Sequence, residues 1–115
     1  MRHRLYSNAF KARLAGYSAA EVFRRAIAVD AQYAAAWAGL ADALYWVGDQ
    51  EQTLAATLTD RKEARAAADR AVALQPGLAY GYLVRAMLRT DEPDLAGAGE
   101  DLRRALAHLA GLGVA

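Results

Sequence analysis

The chain repeats itself. The segment Ala64 to Pro76, ARAAADRAVALQP, lies over Ala98 to Ala110, AGEDLRRALAHLA, at an offset of 34 residues (98 − 64), with Ala64 on Ala98 and Ala71 on Ala105. A third copy, AAEVFRRAIAVDA from Ala19 to Ala31, begins 45 residues before Ala64 (64 − 19) and puts Ala26 on Ala71 and Ala31 on Pro76. The excess of 11 residues is the length of Asp49–Thr59, DQEQTLAATLT, which lies between the two copies. A period of a few tens of residues constrains a fold more than any local pattern does. Each copy is one supersecondary unit, and it must stack on the next to bury its apolar side.

Within that period the sequence writes only helices. Alanine makes up about a quarter of the chain and β-branched residues are few. The pattern predicts six helices. The first runs from Arg4 to Ala15, with Tyr6, Phe10 and Leu14 on one face and Gly16 as its stop. A capping box, Ser18 to Glu21, opens the second, which reaches Val29. Asp30 is placed to cap a third, from Gln32 to Val47, that Gly48 closes. A second capping box, Asp60 to Glu63, opens a fourth helix to Leu74, and Gln75-Pro76-Gly77 breaks the chain. The fifth runs from Leu78 to Arg89 and the sixth from Asp94 to Leu109, with Thr90–Pro93 as the turn between them. Gly111 and Gly113 are expected to end the order. Residues 49–59 read equally as a loop or an added helical turn. No alternating strand pattern competes.

Composition closes off several functions. With 14 basic and 13 acidic side chains the formal charge is +1, so no electrostatic case for nucleic acid or an anionic membrane arises. The excess of Arg over Lys is what a GC-rich genome produces. Cysteine is absent, which excludes disulfides and thiol chemistry. The apolar runs are too short to span a bilayer and the basic N-terminus has no apolar stretch of a secretion signal, so the chain reads as cytoplasmic. His3 and His108 have no converging carboxylates or thiols, and neither a metal site nor any cofactor is expected. Glu100-Asp101 and Asp91-Glu92 are adjacent in sequence, diverge on a helix, and read as a solvated face rather than a shared-proton pair. The glycines of LAGAGED follow no strand and precede no Lys-Ser or Lys-Thr, so they do not make a phosphate loop. An enzyme is therefore not expected.

The 34-residue helix–turn–helix period resembles the tetratricopeptide repeat (TPR) family. The family pattern falls on Trp37, Leu40, Ala41 and Leu44, then Ala64, Ala68, Ala71 and Pro76 in the middle repeat. In the first it falls on His3, Tyr6, Ser7 and Phe10, then Ala19, Phe23, Ala26 and Ala31. In the third it falls on Tyr82, Arg85, Ala86 and Arg89, then Ala98, Leu102, Ala105 and Ala110. The run from Ala26 to Asp42 is similar to TPR segments found C-terminal to adenylate cyclase and winged-helix regulator domains. Arg85 and Arg89 replace apolar residues, which questions the register of the fifth helix. The resemblance implies an all-α fold of three antiparallel helix-turn-helix repeats stacked as a right-handed TPR solenoid. The repeats span about 1–33, 34–78 with the insertion near 49–59, and 79–112.

The resemblance also implies a concave groove lined by the first helix of each repeat. By register its lining is Arg4, Asn8 and Lys11 from the first repeat, Asp42, Tyr45 and Trp46 with Ala35 and Ala38 from the second, and Tyr80, Leu83, Val84 and Met87 from the third. Tyr45 and Trp46 are neighbours on one helix and cannot both face the core. Basic residues at one end and aromatic residues in the middle suit a peptide with an acidic end. Arg4 and Asn8 match half of the carboxylate clamp of chaperone-binding members, but Gly39, Tyr80 and Val84 stand where its remaining polar and basic residues would be. The function implied is a non-catalytic protein-interaction module. The alternative is a structural oligomerisation or spacer segment of a larger regulator. Leu102, Leu106 and Leu109 leave the last helix apolar on its outer side. That face calls for a neighbour, either more of a larger protein or a second copy in a homo-oligomer.

Overall fold

A chain rich in alanine and holding two prolines forms five α-helices and no strand among the described residues of the computed structural model. The structure describes residues 2–48 and 53–114, with side-chain surroundings for 15, 17–47 and 53–110. The helices are α1 (Arg2–Val29), α2 (Ala34–Gly48), α3 (Leu54–Leu74), α4 (Ala79–Asp91) and α5 (Leu95–Val114).

Two of the six expected helices are one. α1 runs through Gly16 and Ser18 without a break. A helical glycine costs only about 1 kcal/mol relative to alanine, and here good helix formers flank it on both sides. The helix–turn–helix expected for residues 1–33 is thus a single rod. α5 likewise continues through Gly111 and Gly113 to Val114.

α3 starts earlier than expected. Thr53 is its cap, the side-chain oxygen accepting the Ala56 amide at 3.2 Å. Six residues of the expected insertion, 54–59, therefore lengthen α3 at its N-terminus, and 49–52 lie outside the described residues. The residues of the second capping box serve tertiary contacts instead. Asp60, 8% exposed, accepts the Tyr17 hydroxyl at 3.1 Å. Glu63 accepts Arg24 through both oxygens, at 2.7 and 2.8 Å from the same nitrogen. Both ties fasten α3 to α1.

The joint between α1 and α2 is set by Asp30 and Trp37. Asp30 does not cap α2. Its carboxylate accepts the Gln32 amide at 3.0 Å, making a local turn. The Trp37 indole then reaches back to the Ala31 carbonyl at 2.9 Å. Asp94 does cap: its carboxylate accepts the Gly97 amide at 2.9 Å and its carbonyl the Ala98 amide. A Cβ at Gly97 would lie 2.3 Å from the Asp94 carboxylate, so glycine leaves room for that cap to fold back.

α2 packs against α1, α3 and α4, and α4 packs in turn on α3 and α5. The main core gathers Leu40, Ala41 and Leu44 of α2, Ala64, Ala67 and Ala68 of α3, Val84 and Leu88 of α4, and Ala20 of α1. A smaller cluster joins Ala79 and Tyr82 of α4 to Ala105 of α5, with Val72 beside it. Seven of the repeated small positions of the second and third copies are interior, while Ala110 is exposed. Ala41, Ala64, Ala68, Ala71 and Ala105 are 0% exposed, Ala86 3% and Ala98 5%. Small side chains let the helix axes come close, and larger neighbours fill what remains. Gly39 carries this furthest. A Cβ there would lie 2.3 Å from the Phe23 ring, which rests on the bare backbone of α2.

Candidate partner-binding surface on helices α2 and α4

The residues assigned to a groove separate into three groups. The first is a polar and aromatic junction between α2 and α4. Asp42 accepts the Trp46 indole on Oδ1 at 2.9 Å and the Tyr80 hydroxyl on Oδ2 at 2.5 Å. Asp42 and Trp46 are one helical turn apart, so the first bond is a consequence of helix geometry. The second needs α2 and α4 to lie side by side. Trp46 is 53% exposed and Tyr80 37%. Burial, followed by the bond to Asp42, pushes the Tyr80 hydroxyl well above the ordinary phenol range.

The second group supports the first. Tyr45 is half-buried against the core and meets Trp46 edge to face at 5.2 Å. The Arg61 guanidinium of α3 lies over the Tyr45 ring, 4.4 Å from its centroid, and pairs with Asp91. One aromatic thus faces inward and its neighbour outward, as two adjacent helix positions require. Leu83 is exposed and Met87 half-buried on α4. Ala35 is half-buried and Ala38 buried.

The third group does not join them. Val84, expected in the groove, is 1% exposed and belongs to the core; its position on α4 turns it toward α2 and α3, so no partner can reach it. The side chains of Arg4, Asn8 and Lys11 lie outside the described residues.

The polar structure that sequence reasoning missed lies between α4 and α5. Asp101 is 0% exposed. It accepts Arg85 on both oxygens, at 3.0 and 2.9 Å, and Arg89 Nη1 at 2.9 Å. Arg85 also reaches Asp69 of α3 at 3.3 Å. The two arginines occupy positions that the repeat pattern reserves for apolar residues, and they do face the neighbouring helix. A buried carboxylate answers their charge. The bond to Asp101 comes first among the causes that raise the Arg85 pKa. The reading of Glu100-Asp101 as a solvated face is corrected for Asp101. The two acids diverge as expected, Glu100 turning outward to Arg103 and Arg104. A signal was present in the sequence: two arginines at i and i+4 in apolar positions call for an acid on the facing helix. His108 stacks on Tyr82 at 5.6 Å with the rings 18° apart.

Among the described residues no group of three or more His, Asp or Glu side chains could hold a metal ion, and no helix is long and apolar enough to cross a membrane. Compared with known proteins, the chain matches no family model and no curated protein is significantly similar to it.

Proposed function

We propose that this chain is a non-catalytic protein-interaction module of the TPR type, cytoplasmic, which receives a peptide segment of a partner across α2 and α4. The observation that carries this reading is the Asp42–Trp46–Tyr80 junction. It lies on the two helices that the repeat register assigns to the concave side, bridges them, and leaves both aromatic rings in part accessible. Aromatic side chains with a polar tip contribute disproportionately to binding, because they bury much area at little cost in conformational entropy. The buried alanines at repeat positions support the same reading, since they allow the close helix packing that stacked repeats need. The continuous α1 leaves two helix pairs, α2 with α3 and α4 with α5, as the repeat-like units beside it. The test is capture of a binding partner by the immobilised chain, repeated with Trp46→Ala and Tyr80→Ala variants of unchanged helicity. Loss of the same partner from both variants supports the reading, and equal capture by all three forms refutes it.

A second reading, a structural segment that self-associates, rests on α5. Leu95, Leu102, Leu106 and Leu109 fall on one face of that helix and are 71%, 45%, 65% and 49% exposed. Large apolar side chains aligned on one face mark a surface that another element covers. Light scattering on the intact chain and on Leu106→Glu decides it: a dimer that the variant dissociates supports self-association, and a monomer at high micromolar concentration excludes it.

A further inference from the structure

Every acidic side chain from Glu63 to Asp101 pairs with an arginine, Glu63 with Arg24 and Asp69 with Arg65 among them. Asp91 pairs with Arg61, Glu92 with Arg65, Asp94 and Asp101 with Arg89, and Glu100 with Arg103 and Arg104. Asp42 of α2 differs: among the described residues it has no Lys or Arg within ion-pair distance, as Asp30 in its exposed turn also has none, and its partners are two neutral side-chain donors, one on each oxygen. Arg61, which sits over the adjacent Tyr45 ring, is committed to Asp91.

A carboxylate has about four lone-pair sites. The indole and the phenol take two, and hold the carboxylate fixed between two aromatic rings. What this arrangement lacks is positive charge. A flat guanidinium satisfies all of its features at once: it donates to the remaining lone pairs, lies against the face of an indole or phenol ring, and carries the missing charge. A carboxylate side chain from a partner would meet Asp42 as a like charge and find no described cation to offset it.

We propose that Asp42, Trp46 and Tyr80 form a receptor for a cationic side chain, arginine above all, presented by a basic segment of a partner protein. The proposal rests on the peptide-binding reading above and fixes the chemistry of what binds. It reverses the expectation of an acidic peptide end drawn from Arg4, Asn8 and Lys11.

The test is a ¹H–¹⁵N NMR titration of the full chain with two blocked peptides, one alternating Arg and Ala, the other alternating Glu and Ala. The Trp46 indole N–H is a direct reporter, because it is the group that donates to Asp42. The Arg peptide is expected to shift that signal and the Asp42 amide, and the Glu peptide to leave both in place. Asp42→Asn should weaken Arg-peptide binding about tenfold or more, the loss of one charge-assisted contact. Asp30→Asn removes the same charge from an exposed turn and should change affinity little, which separates local recognition from net charge. Tyr80→Phe removes one of the two donors that hold the Asp42 carboxylate in place, so it should weaken Arg-peptide binding severalfold, and less than Asp42→Asn does. It serves as the test should Asp42→Asn unfold.

Equal binding by the parent and Asp42→Asn overturns the proposal, as does an equal loss with Asp30→Asn or, should Asp42→Asn unfold, unchanged binding by a folded Tyr80→Phe. If the Glu peptide moves the Trp46 signal instead, the cationic assignment fails while the peptide-binding reading stands. If neither peptide moves it, the cationic assignment also fails, and the capture experiment decides the broader reading separately.

Discussion

Asp101 offers the sharpest test of the packing. It is fully buried between α4 and α5 and accepts three hydrogen bonds from two arginines. Asp101→Asn keeps the shape, removes the charge and turns an amide N–H₂ toward guanidinium donors. Removing one partner of a buried ion pair costs about 3–5 kcal/mol. The lower end applies here. The Arg85 and Arg89 side chains keep 13% and 20% exposure, and each retains a second acid, Asp69 at 3.3 Å and Asp94 at 3.7 Å. A loss of about 3 kcal/mol corresponds to a fall in Tm of roughly 10 °C for a chain of this size. Thermal unfolding followed by far-UV circular dichroism measures it, and urea unfolding should show a lower midpoint with an unchanged slope. The triple variant Asp101→Leu, Arg85→Met, Arg89→Met removes the charges together and should recover most of the loss, because apolar groups of similar size replace a buried ionic network at little cost. A Tm within about 2 °C of the parent for Asp101→Asn would refute the argument that this carboxylate is desolvated and paired.

Three further outcomes are expected. Gly39→Ala places a Cβ where the Phe23 ring lies and should destabilise by about 1–3 kcal/mol through overpacking; in a urea-unfolding double-mutant cycle, Phe23→Leu should relieve part of that loss. Ala31→Pro should be neutral or raise the Tm slightly, since Ala31 stands where the repeat pattern has proline and is exposed in the turn; a large loss of Tm would count against the repeat register. In an ultraviolet titration, Tyr80 should ionise above the ordinary phenol value of about 10, because burial and then Asp42 favour its neutral form. Its contribution to stability is therefore complete below about pH 10 and is lost as the pH rises beyond it. Asp42→Asn should bring the ionisation down toward, but not to, the ordinary value, since burial remains.

Much of the fold is legible residue by residue. The alanine repeat marks Ala41, Ala64, Ala68, Ala71, Ala98 and Ala105 as close-packing positions, and all are interior. The pairing of Tyr45 and Trp46 on one helix requires one ring inside and one outside, and that is their arrangement. Local signals mislead where the chain has a tertiary use for the same side chain. Asp60 and Glu63 read as a capping box, yet they serve Tyr17 and Arg24 across the α1–α3 gap. Gly16 and Ser18 read as a stop and a cap, yet neither outweighs the helix formers around them.

The candidate site divides in the same way. Side-chain type and helical spacing alone bring Asp42 within reach of Trp46, because residues four apart share a face. That Tyr80 completes the junction, that Val84 is lost to the core, and that Asp101 lies opposite Arg85 and Arg89 are decided by how α2, α4 and α5 lie against one another. The sequence by itself determined an all-helical chain and the places where its helices come close, since propensity and residue size act locally. Tertiary structure decided which charges meet, and so that Asp42 is held by two neutral donors rather than by a counterion. A charge finds its partner across helices that are far apart in the chain, and only their packing sets that distance.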